Sequence, residues 1–216
     1  QPLPGQGIRR GGEGLLRLVS GLFLAFVAIA LAVLPWTVPF AVVTVLVMLF
    51  AAREWHRMVR APAQRQVADL QPIHVQTIVT GVAVAAAVAA LAVEMLPVAF
   101  ALLAAGALAA WLLAQRRNDN PLWHAMGVFY IGLPALALVG LRILPAKGQG
   151  MWFILGLFAI VWATDTGALV FGKLIGGAKL APLLSPGKTW AGTIGGTVMA
   201  VVFFAPFIAI FGADIL

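Results

Sequence analysis

Seven stretches of the chain are nearly unbroken runs of apolar residues, roughly 15–34, 37–52, 75–93, 96–114, 122–141, 151–171 and 190–212. Most approach the ~20 residues a helix needs to cross the hydrocarbon core of a bilayer. The pattern therefore predicts an all-α fold: a polytopic membrane helix bundle of about seven transmembrane helices. Breaks fall at Pro35, from Glu94 to Pro97 and from Arg142 to Gly150, and the shortest run, 37–52, can extend into its flanks. The third and fourth runs are rich in alanine and valine, carry no polar residue at their centres, and read as scaffold.

The polar segments between the runs add detail. Glu54, Arg57 and Arg60 are spaced like one face of a helix continuing out of the bilayer, which predicts a solvated interfacial helix. Arg116-Arg117-Asn118-Asp119-Asn120 is a compact polar turn, read first as a topology signal, with Asn118 and Asp119 able to reach a bound cation. Gly192 and Gly196 form a small-xxx-small face, which predicts close packing of the last helix on a neighbour.

With 62% hydrophobic and 10% charged residues, the chain is excluded from the soluble globular class. The absence of cysteine rules out disulfides and thiolate metal sites. His56, His74 and His124 lie in separate loops or helix ends, which argues against a histidine zinc cluster, so any metal is expected to be oxygen-bound. The formal charge of +7 is scattered between apolar runs and forms no stripe with aromatics. Nucleic acid is not an expected partner, whereas anionic membrane lipids are. If the N-terminus lies inside, all the Lys and Arg residues except Arg142 and Lys147 fall on the cytoplasmic side, a strong positive-inside bias. Residues 1–14 then read as a disordered cytoplasmic tail, and residues 15–216 as one transmembrane domain with a cytoplasmic active-site loop at 173–189. No signal peptide is read, because the first run is too long and lacks a small-residue cleavage site.

Candidate chemistry concentrates between Val161 and Gly196. Asp165 lies roughly 20 Å along a helix starting near Met151, and an intramembrane carboxylate needs a watery cavity, a cation or a partner. Lys173, Lys179 and Lys188 follow. Ser185-Pro186 reads as a helix start, with Ser185 as N-cap and Pro186 at the first helical position. Lys188 would then stand in the first helical turn, where the macrodipole disfavours a cation and favours a bound phosphate. The three lysines equally fit topology signals, and Asp165 equally fits an ion-pair partner for one of them. A nucleotide-binding P-loop is rejected, because Pro182 occupies the place of its first glycine.

Asp165-Thr166-Gly167-Ala168, Gly172-Lys173, Lys179-Leu180-Ala181-Pro182, and Ser185-Pro186-Gly187-Lys188-Thr189-Trp190 with Gly192 together resemble the phosphatidate cytidylyltransferase (CDP-diacylglycerol synthase) family. Arg17-Leu18-Val19-Ser20-Gly21 and Glu54-Trp55 are similar to that family's opening, while Ala191 stands where the family has a polar residue. The family's later Lys-Asp and Pro-x-His-Gly-Gly-x-x-Asp-Arg segment does not occur in residues 1–216, so the chain is expected to be an N-terminal portion lacking some metal-holding acids.

The resemblance implies transfer of a cytidylyl group from CTP to phosphatidic acid with Mg²⁺ as cofactor, in the cell inner (cytoplasmic) membrane. Asp165 and Lys188 would be catalytic, with Asp165 also a metal ligand; Lys173, Lys179, Ser185 and Thr189 would bind substrate. A homodimer stays open. Two other classes also remain: a catalytically incomplete scaffold or lipid-binding protein, and a small transporter, which would be expected to show an inverted second copy of the acid-and-glycine pattern.

Overall fold

The computed structural model describes residues 6–60, 74–143 and 149–211. Among these residues are seven helices: α1 Gln6–Val33, α2 Thr37–Met58, α3 Val75–Ala92, α4 Leu96–Arg116, α5 Pro121–Ile143, α6 Gln149–Leu174 and α7 Trp190–Phe211. Each predicted apolar run is thus a helix. Five of these, α2 to α6, are long and apolar enough to cross a membrane, and Val19–Val33 and Trp190–Pro206 are shorter apolar helices. The chain is a multi-pass membrane protein. Between α6 and α7 stands one feature that the apolar pattern does not announce, an antiparallel pair of strands β1 Lys179–Ala181 and β2 Ser185–Thr189.

The chain divides into two compact units, 1–147 and 148–216. In the first, α2, α3, α4 and α5 pack around a core of small residues, including Ala52, Ala83, Ala87, Ala107, Ala110 and Ala135, with Leu91, Leu103 and Val128 between them. Small side chains let helix backbones approach closely, which gives apolar helices dispersion contact where lipid removes the hydrophobic drive. Large apolar residues such as Leu22, Phe23, Phe26, Val82 and Leu108 remain exposed, as lipid-facing positions should.

Both α3 and α4 end in a Schellman turn. Glu94 (φ 62°) and Asn118 (φ 52°) take the left-handed position, and the amides of Met95 and Asp119 return to the carbonyls of Ala90 and Ala114. The second of these turns aims Asp119 back into the bundle, where it is buried. Arg142 Nη2 donates to the Leu34 carbonyl at 2.6 Å, tying the end of α5 to the α1–α2 connection.

Of the expected helical face, Glu54 and Arg57 lie exposed on α2 where it continues beyond the apolar run, and Arg60 departs from it. The α2 helix ends at Met58, and Arg60 beyond it is buried, not solvated. The rest of the Arg53–Gln71 loop, from 61 onward, lies outside the described residues.

Candidate active site

In the second unit α6 and α7 lie along each other over a face of glycines. A Cβ on Gly192 would stand 2.8 Å from the Ala168 carbonyl oxygen, one on Gly196 2.7 Å from that of Thr164, and one on Gly167 2.9 Å from that of Gly195. The obstacles are backbone atoms, so no rotamer change relieves them. The predicted Gly192/Gly196 face is therefore the contact surface, and α6 is its partner.

Between these helices the chain leaves α6 through Gly176 (φ 64°) and Gly177 (φ 85°), left-handed positions that a side chain would strain. It runs out along β1, turns where the Leu184 amide meets the Ala181 carbonyl at 3.2 Å, and returns along β2. Lys179 stands opposite Thr189 in the ladder, and Ala181 opposite Ser185. The Trp190 amide donates to the Ala178 carbonyl at 3.1 Å and closes the base of the hairpin. At its tip Leu183 and Leu184 are 100% and 90% exposed.

This arrangement corrects the predicted start of the last helix. Ser185 is not an N-cap, Pro186 is not in a helix, and Lys188 is not in a first helical turn; all three belong to β2, and α7 begins at Trp190. The cap is Thr189, whose Oγ1 accepts the Gly192 amide at 3.1 Å, the bond an N-cap makes to the third helical residue. Pro186 fits the strand because its fixed φ suits extended backbone at an edge. Lys188 therefore carries no conflict with the macrodipole; it stands exposed one residue before the cap.

The hairpin gathers Lys179, Ser185, Lys188 and Thr189, with Lys173 on the last turn of α6. Of these Thr189 is buried, Ser185 half-buried and the lysines exposed. Gly172 packs against Thr189 Oγ1, 3.2 Å from where its Cβ would be. Asp165 lies seven residues before Gly172, almost in line with it on α6, hence about 10 Å along the axis from the Thr189 level. It is exposed at the rim of the α7 contact face, with no hydrogen bond or ion pair among the described residues. The structure thus sets Lys179, Ser185, Lys188 and Thr189 on one hairpin, with Lys173 on the last turn of α6, and leaves Asp165 two turns from Gly172.

Among the described residues no three His, Cys, Asp or Glu groups are arranged to hold a metal ion, and Asp165 is the one acidic residue in 149–211. One carboxylate does not make a Mg²⁺ site, so the described donor set does not fit that ion by itself.

Sequence reasoning missed a polar cluster in the first unit. His56, His74 and His124, read as separate, come together with nearly parallel rings, the centroids 5.0 Å apart for His56 and His124 and 6.0 Å for His74 and His124. His56 Nδ1 lies 2.8 Å from His124 Nδ1, His56 Nε2 lies 2.7 Å from Thr80 Oγ1, and His124 Nε2 lies 3.0 Å from Asp119 Oδ2. Asn120 Nδ2 donates to the Val59 carbonyl at 2.7 Å, and Trp55 Nε1 to the Trp123 carbonyl at 2.9 Å. Burial, then the charges of Arg60, His124 and Arg117, hold His74 down at about 4. The only hint in the sequence is Asp119 five residues before His124; the other spacings, 24 and 68 residues, are set by tertiary packing.

The sequence is similar to known proteins. A model of the cytidylyltransferase family matches residues 15–215. A protein named phosphatidate cytidylyltransferase from Brucella suis biovar 1 is 45% identical over 104 residues, 47% of this chain and 38% of the relative. One of the same name from Rickettsia bellii is 37% identical over 99 residues, 46% of this chain and 41% of the relative. Another, from Haemophilus influenzae, is 48% identical over 95 residues, 42% of this chain and 33% of the relative. The matched part of the chain thus spans about two fifths or less of the length of these relatives. No solved structure matches. With nearly all of its residues covered by the family model, the chain belongs to the cytidylyltransferase family.

Proposed function

We propose that this chain forms part of an enzyme that joins phosphatidic acid to CTP, giving CDP-diacylglycerol and pyrophosphate for phospholipid synthesis. The observation that carries this reading is the short hairpin presenting Lys179 and Lys188 beside the Thr189 cap, in a unit whose one described carboxylate, Asp165, has no partner. In such a transfer the lipid phosphate oxygen attacks the α-phosphorus and pyrophosphate leaves, so the protein's work is positioning and charge neutralisation. The exposed ammonium groups of Lys173, Lys179 and Lys188 are free to offset phosphate charge, and Ser185 offers a half-buried hydroxyl. Thr189 Oγ1 is committed to its cap, so its part is to fix the hairpin on α7. Mg²⁺ is the cofactor we propose for the whole reaction; its further oxygens would come from outside the described residues, and no step here runs through it.

The same reading puts the N-terminus and the hairpin on the cytoplasmic side of a bacterial inner membrane, where CTP is found, with anionic lipids around the basic loops. Single cysteines replacing Gln6, Lys147 and Gly177 should be labelled from the cytoplasmic, external and cytoplasmic sides respectively. Labelling of position 177 from outside would remove the cytoplasmic site.

Conversion of CTP and phosphatidic acid by the full-length protein tests the function directly. Lys188→Ala should lower kcat/KM for CTP roughly 10- to 100-fold, the loss of one charge-assisted hydrogen bond of ~1.5–3 kcal/mol. Its thermal midpoint should not move, because the side chain is exposed. Arginine should rescue in part, since a planar fork does not replace a compact ammonium. Full activity in the alanine variant would reduce Lys188 to a topology signal, and absence of any turnover with CTP in the native protein would overturn the function.

A further inference from the structure

The chain Asp119–His124–His56–Thr80 has a direction that geometry fixes. Each nitrogen of both imidazoles already faces a partner: Asp119 Oδ2 and Thr80 Oγ1 at the outer ends, and one another at the centre, Nδ1 to Nδ1 at 2.8 Å. Two nitrogens can share only one proton between them. With Asp119 ionised, it accepts from His124 Nε2–H, so neutral His124 offers the lone pair of Nδ1. His56 must then donate from Nδ1–H, and its Nε2 must accept the hydroxyl proton of Thr80. No other assignment of two neutral rings satisfies all three contacts.

One added proton is accommodated by reversal. His124 becomes doubly protonated and donates from Nδ1, His56 shifts its proton to Nε2 and donates to Thr80, and the Thr80 hydroxyl turns to a helix carbonyl such as that of Gln76, four residues back. All three bonds survive. A second proton cannot be placed so, because two imidazolium rings would point Nδ1–H at Nδ1–H.

These bonds join α2 through His56, α3 through Thr80, and the α4–α5 connection and α5 through Asp119 and His124. His56, His124 and Thr80 are 0% exposed. We propose that this chain is an acid-sensitive latch: it holds the ends of α2, α3 and α5 together with no proton or one proton bound, and parts at its centre when the second arrives.

The charged and titratable groups acting on it are Arg60 after α2, His74 before α3, and Arg117 and Asp119 in the turn before α5. Arg60 and Arg117 both oppose protonation of His74, and Asp119 alone favours it. His74, stacked on His124, adds in the same sense. Its ordinary value of 6.5 falls to about 4 on folding, so the folded state binds fewer protons than the unfolded one between these values. Its stabilisation is complete above pH 6.5 and is lost as pH falls toward 4.

Two measurements test the latch on the purified full-length protein in detergent. First, the thermal midpoint of the native protein should fall by roughly 5 °C or more from pH 7.5 to pH 5. In H56Q, H124Q and the double variant, whose amides bond without titrating, the fall should be smaller. An equal fall in all four proteins, or a flat profile in the native one, overturns the proposal. Second, nitrogen NMR of histidine-labelled native protein, which needs no variant to fold, should show His56 as the Nδ1–H tautomer and His124 as the Nε2–H tautomer at pH 7.5. On acidification His56 should change to Nε2–H as His124 takes up its proton. The Nε2–H tautomer of His56 at pH 7.5, or stoichiometric transition metal with both Nδ1 atoms shifted as ligands, overturns it.

Discussion

Replacing Asp165 with asparagine should lower turnover of CTP and phosphatidic acid by roughly 100-fold or more while leaving the thermal midpoint unchanged or slightly raised. The side chain is exposed on α6 and makes no hydrogen bond or ion pair among the described residues, so an isosteric amide removes no packing and no partner. A carboxylate at the centre of a spanning helix disfavours insertion by ~2.5–3.5 kcal/mol; Asp165, past the middle of α6, bears part of that penalty, and neutralising it relieves that part. A residue kept against such a penalty acts through its charge, and removal of one preorganised electrostatic group from a transfer site costs about 10²–10³ in rate. Glutamate should restore only part, because its extra methylene moves the oxygens by more than an ångström. Rates at saturating CTP for native protein, D165N and D165E, beside their thermal midpoints, decide the matter. A drop in stability that parallels the drop in rate would make Asp165 a structural residue.

The largest effect on folding should come from Gly192→Leu. At this position an added Cβ meets the Ala168 carbonyl oxygen at 2.8 Å, the capping Thr189 Oγ1 at 3.2 Å and the Gly172 Cα at 3.3 Å, and the two backbone atoms cannot move without moving α6. Overpacking of a close contact costs about 1–3 kcal/mol where side chains can shift, and here they cannot. Leucine should therefore separate α6 from α7 and leave no active protein, while alanine should lower the thermal midpoint by several degrees. Gly187→Ala is the matched control, since nothing lies within 4 Å of the added methyl and the backbone there is not left-handed. A stable Gly192→Leu protein would mean that the two helices are not held along this face.

How much of this was open to sequence reading depended on the range over which each feature is specified. Helix number was legible because spanning length is a property of each run alone, and the Gly192/Gly196 face because small residues at a four-residue spacing have one common use in membranes. The start of α7 was misread because Ser185-Pro186 suits both a helix start and an edge strand. The deciding bond, Thr189 Oγ1 to the Gly192 amide, competes with it from only four residues away. Strands of three and five residues carry no period long enough to register. The lysines and hydroxyls of the candidate site are close in sequence, and Lys179, Ser185, Lys188 and Thr189 lie on one hairpin. The histidines meet across separations of up to 68 residues, where no local pattern reports the contact.

The glycine seam between α6 and α7 also bears on how the second unit comes into being. Its close contacts all join residues less than 40 positions apart in the chain, for example Gly167 with Met199 and Thr164 with Gly196. Loop-closure entropy rises only slowly with length and is small over such spans. As synthesis proceeds, α6 can wait in the bilayer until α7 follows it, and the two can seal as one helical hairpin with the lysine arm already folded between them. Assembly of this unit is then a matter of order of emergence: a longer connection in place of the arm would delay the seal and lengthen the time for which the Thr164 and Ala168 carbonyls face lipid instead of glycine.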